Sequence, residues 1–233
     1  LPPSISHEGY AAKPMHSYWD DFFAARGYKD AVWLGGELVR AGADSLAGEV
    51  SRLASARDRF LHDLGASVAA AMDRHGIDYV PGCADLGDFD PTSTTIALDP
   101  AAVADILPPG ALERTFARYW EFFTARRDGV PWEALTPYEL RNVGACVRLG
   151  WRDRAGALLD WVLTCRRPAG WRHWAEVVRR DAGSAHFIGD MPHPWVGSDY
   201  ARAVLDMIAY AVNTDTPEGA GLVLAAGVPA AWL

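Results

Sequence analysis

Hydrophobic residues recur along most of the 233-residue chain at spacings of three, four and seven, which is the pattern of an amphipathic α-helix. A first helix is predicted from the segment His16–Phe23 to about Arg40. The most regular run predicts a second, long helix over about Ser45–Arg74, and His75-Gly76 supplies its stop signal.

Further helices are predicted, in chain order, at Pro100–Leu107, Leu112–Phe123, Thr136–Leu149, Arg152–Cys165, Trp171–Arg180 and Ser198–Val212. Phe116 and Trp120 lie on the apolar stripe of their helix and are predicted to belong to the core. The sequence Thr136-Pro137-Tyr138-Glu139 is typical of a capping box with proline at the first helical position.

The segment Asp78–Asp99 lacks a helical period and is rich in proline, glycine, serine and threonine. It is predicted to be a long ordered loop, and long loops inside compact domains are usually functional. Only Tyr79-Val80, Thr94–Leu98 and Leu222–Ala225 resemble strands.

About eight helices joined mostly by short loops predict an all-α fold in which neighbouring helices pack antiparallel. No 34- or 40-residue repeat is visible, which disfavours a TPR or HEAT array. An irregular bundle, an α-solenoid and part of an (α/α) toroid of helical hairpins remain open. No boundary divides residues 1–233, so a single domain is expected.

Half of the residues are hydrophobic and 22% are charged, which is typical of a globular protein. The net charge of −8 argues against nucleic acid and anionic membranes as partners, and no apolar run is long enough to span a membrane. Cys83, Cys146 and Cys165 are isolated from one another, so buried thiols are expected rather than disulfides or a zinc site.

The chain begins at Leu1 without an initiator methionine or signal peptide and stops after an apolar stretch at Leu233. We expect an excised, incomplete piece of a larger multidomain protein, whose other domains would be its partners. The ends therefore do not reveal the compartment, although an extracellular or periplasmic parent is slightly favoured.

Four clusters combine aromatic and acidic residues at or just before a predicted helix. They contain Tyr18, Trp19, Asp20 and Asp21; Asp85, Asp88 and Asp90; Trp174 and Glu176; and Asp190, His193 and Trp195. Aromatic rings stack on the apolar faces of sugars, and carboxylates accept hydroxyl hydrogen bonds or transfer protons. Each cluster alone also fits a capped helix, a solvated turn or, for the second, a calcium loop, although the EF-hand spacing is absent.

In a toroid of antiparallel helices every second loop opens at the same end, so the four clusters would converge on one sugar site. No GxSxG, HExxH or phosphate-binding loop indicates another chemistry. The histidines and acids could in principle bind a metal, but no pair among His16, His173, His186 and His193 has the i, i+4 spacing. We therefore expect an oligosaccharide or glycoside substrate and neither a metal nor a cofactor.

The segment His16–Gly27 resembles the aromatic-Trp-Asp … Arg-Gly segment of trehalase-like glycosidases, which have an (α/α)6 toroid. Gly87–Asp90 with Thr94–Asp99 is similar to the segment that carries the general acid in that family, and Met191–Ser198 to the late Gly-Trp loop near the general base. As a whole the chain resembles the six-hairpin glycosidase-like region of large multidomain bacterial sugar hydrolases.

This resemblance implies an inverting glycoside hydrolase and, with about eight helices instead of twelve, the C-terminal part of a partial (α/α)6 barrel. The family's glutamate just before the Gly-Trp loop has no counterpart at the same place, where only Asp190 and the more distant Glu176 are available. An inverting enzyme needs two carboxyls about 6.5–9.5 Å apart, one of them protonated at working pH. Asp88, flanked by Asp85 and Asp90, is the expected acid. Glu176 is the expected base, with Asp190 as the next candidate.

The remaining cluster residues are expected to bind substrate: Tyr18, Trp19, Asp20, Asp21, Asp85, Asp90, Trp174, His193 and Trp195. Trp19, Trp174 and Trp195 would be stacking platforms, and Asp20 and Asp21 would hold hydroxyls. Two alternatives stay open, namely a non-catalytic structural or binding module and a polysaccharide lyase on the same fold. Tyr138 or His193 at the centre of the site would favour the lyase.

Overall fold

The computed structural model describes residues 1–5, 13–181, 189–212 and 220–232. Helix accounts for 61% of the structure, nearly twice the usual share of globular proteins, so the prediction of a mostly helical protein is confirmed. None of the described helices combines the length and apolar character that crossing a membrane requires.

The elements follow one another in this order: α1 Tyr18–Arg40, a 3-10 turn Asp44–Leu46, α2 Ala47–His75, α3 Pro91–Leu98, a 3-10 turn Ala104–Ile106, α4 Ala111–Arg127, β1 Ala134–Leu135, a 3-10 turn Pro137–Leu140, α5 Arg141–Arg148, α6 Arg152–Thr164, a 3-10 turn Ala169–Trp171, β2 Val178–Arg179, α7 Pro194–Ile208, β3 Ala209–Val212, β4 Gly221–Leu224 and a 3-10 turn Ala230–Trp232. The strands form two separate two-stranded sheets, β1 with β2 and β3 with β4.

The chain divides into two compact units. The N-terminal unit comprises Leu1–Thr115 and Val212–Gly221, and the C-terminal unit comprises Phe116–Ala211 and Leu222–Leu233. Cys83 in the first unit and Cys146 and Cys165 in the second are buried thiols, which confirms their predicted burial.

In the N-terminal unit, α1 and α2 pack antiparallel along their length. The Tyr18 hydroxyl lies 2.9 Å from Ser67 Oγ, and the rings of Tyr28 and Phe60 lie 5.4 Å apart. Helix α2 ends where Gly76 adopts the left-handed φ of 62°, which confirms the predicted stop signal because glycine takes this conformation without a steric cost.

Three predictions about local structure in this unit are wrong. Thr94–Leu98, predicted as a strand-like part of a long loop, belongs to α3, because Pro91 occupies the first turn and the Asp90 side chain caps it. Tyr79-Val80 lies outside the described strands. Pro100–Leu107 forms only the 3-10 turn Ala104–Ile106, since the proline that follows Leu107 disfavours helical backbone before it.

In the C-terminal unit, the apolar stripe of α4 is buried as predicted: Phe116 and Tyr119 are 1% exposed and Phe123 is fully buried. Trp120 is only half-buried, with its ring 5.0 Å from that of Phe123. Trp120 therefore packs on the core as predicted, but its side chain is less buried than that of Phe116.

The predicted capping box at Thr136–Glu139 forms only in part. The Thr136 hydroxyl oxygen accepts a hydrogen bond from the Tyr138 N–H at 3.4 Å, but the element that it caps is the 3-10 turn Pro137–Leu140, and α5 follows from Arg141. The Glu139 side chain turns into the core, where it accepts hydrogen bonds from the Arg126 guanidinium and, at 2.6 Å, from the Tyr119 hydroxyl. The carboxylate is therefore bound by a buried cation and a phenol, whereas in a capping box it would accept the backbone N–H of the N-cap residue.

The predicted helix Trp171–Arg180 is wrong. The 3-10 turn ends at Trp171, Arg172 adopts the left-handed φ of 55°, and β2 then pairs antiparallel with β1. The helical spacing rested on two indoles, but Trp171 is 62% exposed whereas Trp174 is buried, so the two do not share a buried face.

Two ion pairs join α5 to α7. Arg141 Nε donates to Asp199 Oδ2 at 2.9 Å, and Arg148 Nη1 donates to Asp206 Oδ2 at 2.7 Å. Both arginines and both aspartates are seven residues apart, and the pairing runs in the same direction, so α5 and α7 lie side by side and parallel. This packing brings the start of α7 next to the turn that precedes α5.

Candidate functional site

The first predicted cluster lies at the start of α1, and its aromatic residues are core residues. Tyr18 is 1% exposed and Trp19 is 5% exposed, and the Trp19 indole packs edge-on against Phe23 at 4.9 Å. A ring covered in this way offers no face to a sugar. The expected role of Trp19 as a stacking platform is therefore wrong for this structure, and burial of Tyr18 likewise keeps it from a substrate.

The two carboxylates of this cluster differ in environment. Asp20 accepts a hydrogen bond from the Ser4 hydroxyl. Asp21 is buried, and its Oδ1 lies 3.0 Å from the amino group of Leu1. Burial raises the pKa of Asp21, because removing the carboxylate from water disfavours its charged form.

The three acids of the second cluster hold their own loop together. Asp85 Oδ2 accepts the His16 backbone N–H at 2.6 Å, and this hydrogen bond lowers the pKa of Asp85. Asp88 Oδ1 accepts the Cys83 N–H at 3.0 Å. Asp90 accepts the N–H of Ser93 at 3.0 Å and its hydroxyl at 2.5 Å, as the N-cap of α3. Each of these three acids thus stabilises the loop. The Asp88 carboxylate is bound by the Cys83 N–H, whereas the sequence predicts that it donates a proton.

The C-terminal unit brings three predicted residues together. One potential ligand atom from each of Glu176, Asp190 and His193 lies within 4.8 Å of the other two. The backbone fixes this grouping, because the Glu176 N–H donates to the Asp190 carbonyl at 3.1 Å and the His193 N–H donates to the Trp174 carbonyl at 2.7 Å. In addition, the Asp190 N–H donates to Glu176 Oε2 at 3.3 Å. We call these three residues the EDH cluster.

Aromatic side chains border the EDH cluster. The Tyr138 hydroxyl lies 2.6 Å from His193 Nε2, and the Tyr138 ring meets Trp195 edge-on at 6.1 Å. Trp195 is 47% exposed, so its ring retains a surface that a ligand can contact. Trp174 is buried and packs on Tyr200 at 5.3 Å, so its predicted role as a stacking platform is wrong.

Gly189 closes the loop against the EDH cluster. Its φ of +74° lies in the left-handed region, and a Cβ added there would stand 2.7 Å from both Cβ and Oε2 of Glu176. A side chain at this position would displace Glu176, so both the backbone conformation and the available space require glycine.

The predicted site residues are thus divided between the two units: Tyr18, Trp19, Asp20, Asp21, Asp85, Asp88 and Asp90 lie in the N-terminal unit, and Trp174, Glu176, Asp190, His193 and Trp195 lie in the C-terminal unit. His186, weighed as a metal ligand, lies outside the described residues. Sequence reasoning placed Tyr138 only in the lyase alternative, and the contact that ties it to His193 spans 55 residues, which no local pattern reveals.

The carboxylates of Glu176 and Asp190 do not have the spacing of an inverting pair. Their potential ligand atoms lie within 4.8 Å of one another, whereas inverting enzymes separate the two carboxyls by about 6.5–9.5 Å to admit a water molecule. Asp190 is therefore not the inverting partner of Glu176 in this conformation.

Comparison with known protein families, with curated proteins and with solved structures finds no match. A function is therefore inferred from the chemistry of the EDH cluster and its surroundings.

Proposed function

We propose that the chain is a glycoside hydrolase-like domain, in which the helices form part of an (α/α)6 toroid of antiparallel hairpins and the EDH cluster is where the glycosidic bond is cleaved. The observation that carries this proposal is the combination of Glu176 and Asp190 with the half-exposed ring of Trp195 in one unit. Carboxylates beside an accessible aromatic ring suit hydrogen bonding to sugar hydroxyls and stacking on a sugar face.

In this proposal Glu176 is the general base of an inverting reaction. Its carboxylate takes a proton from water, the water oxygen bonds to the anomeric carbon, and a carboxylic acid gives its proton to the departing glycosidic oxygen.

The test uses the purified chain with a panel of oligosaccharides and aryl glycosides. Glu176→Gln keeps the shape of the side chain and removes the base, so turnover should fall by about 10²–10⁴-fold. Glu121→Gln is the matched control, because Glu121 lies exposed on α4 of the same unit. Wild-type turnover that Glu176→Gln leaves intact would overturn the assignment.

One observation favours a second candidate, a polysaccharide lyase. The 2.6 Å contact between Tyr138 and His193 supplies a hydrogen-bonded phenol and imidazole, as acid–base groups of an elimination require. One of them would remove the proton next to a uronic acid carboxylate, and the electron pair would form a double bond as the glycosidic oxygen departs with a proton.

The two reactions leave different products. Hydrolysis in water labelled with oxygen-18 puts the label into the new reducing end, whereas elimination adds no water and creates a carbon–carbon double bond that absorbs ultraviolet light. Tyr138→Phe should abolish elimination but leave hydrolysis largely intact. Labelled product from a Tyr138→Phe enzyme would therefore decide for the hydrolase.

A further inference from the structure

We propose that the EDH cluster binds one divalent transition-metal cation of the Zn²⁺ class. Glu176, Asp190 and His193 offer two carboxylate oxygens and one imidazole nitrogen, all within 4.8 Å of one another. These residues come from two segments, the one before β2 and the one before α7, so the grouping is a product of the fold rather than of a local acidic run.

The imidazole of His193 is held in the orientation that a metal ligand needs. The Tyr138 hydroxyl engages Nε2 at 2.6 Å, which leaves Nδ1 as the ring nitrogen that faces Asp190. Metal-bound histidines usually have the second ring nitrogen fixed in this way by an outer partner. Nδ1 lies 3.7 Å from Asp190 Oδ2, which is too far for a hydrogen bond.

A cation between these atoms requires the ligands to move closer together. Zinc lies about 2.0–2.2 Å from nitrogen and carboxylate ligands in tetrahedral geometry, so two ligands of one ion are about 3.3–3.6 Å apart. The present separations of up to 4.8 Å exceed that spacing by about 1.2–1.5 Å. Asp190 is largely exposed, with 77% of its side chain accessible, so a rotation of its carboxylate can close the gap.

The backbone under the EDH cluster is already in place. The hydrogen bonds between Glu176 and Asp190, and from the His193 N–H to the Trp174 carbonyl, fix the points from which the three side chains extend. A Cβ added at Gly189 would stand 2.7 Å from Glu176, so glycine lets the loop run close to this ligand. A preorganised backbone lowers the cost of assembling a metal site.

The donor set selects the class of metal. Calcium and magnesium prefer oxygen ligands throughout, whereas an imidazole nitrogen suits zinc and its neighbours in the first transition series. Three protein ligands also leave coordination positions for water or a ligand, as in catalytic rather than structural zinc sites.

This inference does not depend on the proposed sugar chemistry, because metal binding is measured without a substrate. The two proposals meet at Glu176, since a carboxylate oxygen bound to a cation no longer accepts a proton. Added Zn²⁺ should accordingly inhibit hydrolysis if Glu176 is the base.

The experiment titrates the chelator-treated full chain with Zn²⁺, Mn²⁺ and Ca²⁺ in an isothermal calorimeter. We expect one Zn²⁺ per chain, bound more tightly than Ca²⁺. His193→Ala and Asp190→Asn should abolish this binding, and Tyr138→Phe should weaken it by about 10–100-fold because Nε2 loses its partner. His173→Ala is the matched control, since His173 is an exposed histidine of the same unit and should bind Zn²⁺ as wild type does.

The exposed Asp190 makes Asp190→Asn the variant least prone to disturb folding, and melting curves without metal verify that each variant is folded. Zn²⁺ binding that survives in folded Asp190→Asn, or that His173→Ala abolishes, would overturn the proposal. Tighter binding of Ca²⁺ than of Zn²⁺ would overturn the role of His193.

Discussion

Replacing Glu139 by glutamine tests the buried ion pair at the centre of the C-terminal unit. Arg126 donates from Nη1 to Glu139 Oε1 at 2.9 Å and from Nη2 to Oε2 at 2.5 Å, and the two side chains are only 5% and 10% exposed. Glutamine preserves the volume and an acceptor for the Tyr119 hydroxyl, but it leaves the Arg126 cation without its counter-charge.

The expected loss follows from this geometry. Removing one partner of a buried ion pair costs about 3–5 kcal/mol, because the remaining charge stays away from water without compensation. Since small proteins are stable by only about 5–15 kcal/mol, Glu139→Gln should lower the urea midpoint strongly. Equilibrium unfolding, followed by circular dichroism and by tryptophan fluorescence, measures this loss.

A double variant separates the charge from the shape. In Arg126→Met/Glu139→Gln no buried charge remains, and methionine can pack on Phe122, whose ring lies 4.1 Å from the Arg126 guanidinium. The double variant should therefore be more stable than Glu139→Gln alone. A loss below about 1 kcal/mol in Glu139→Gln, or a double variant that loses the sum of both single effects, would refute the reasoning about a desolvated charge.

Three further predictions concern single positions. Gly189→Ala should lose more stability than Gly150→Ala, because both residues have positive φ but only the first would place its Cβ against another residue; chemical denaturation of the two variants gives the comparison. Phe116→Ala removes a side chain that is 1% exposed and should cost about 3–5 kcal/mol in the same assay. Burial raises the pKa of Asp21 above 3.8, so its contribution to stability is complete below that value and is lost as the pH rises through the raised pKa. Relative to wild type, Asp21→Asn should thus gain stability across this rise in pH.

The long helices were predictable because their signals are local. The apolar period of α2 and the glycine that ends it lie within one continuous stretch of sequence, and packing only had to select that face. Helix α3 is not predicted because its eight residues make only about two turns, too few to show a helical period. Asp90-Pro91 is nevertheless a helix start signal in the sequence. The segment after Trp171 was mistaken for a helix because two indoles three residues apart were assumed to share a buried face.

The candidate site was only partly predictable, because acids near helix starts serve two purposes. A carboxylate there satisfies free backbone N–H groups and also suits catalysis. Asp85, Asp88 and Asp90 form the densest acidic run in the chain, and each of them accepts a backbone N–H. Local density of acids therefore indicated a structural task as much as a chemical one.

The EDH cluster, by contrast, is assembled from residues that lie far apart in the sequence. Its acids are 14 residues apart in the sequence, and the phenol that orients His193 comes from 55 residues earlier. The ion pairs between α5 and α7, which hold Tyr138 beside the start of α7, join residues 58 apart.

Weakening one of the ion pairs between α5 and α7 should thus disturb the contact between Tyr138 and His193 before it disturbs the helices themselves. Arg141→Lys keeps the charge but loses the planar guanidinium that lies 4.5 Å from the Tyr138 ring. If long-range packing positions the site, this variant should weaken Zn²⁺ binding while its far-ultraviolet circular dichroism stays that of wild type. Unchanged Zn²⁺ affinity in Arg141→Lys would mean that the loop from Glu176 to His193 positions the ligands by itself.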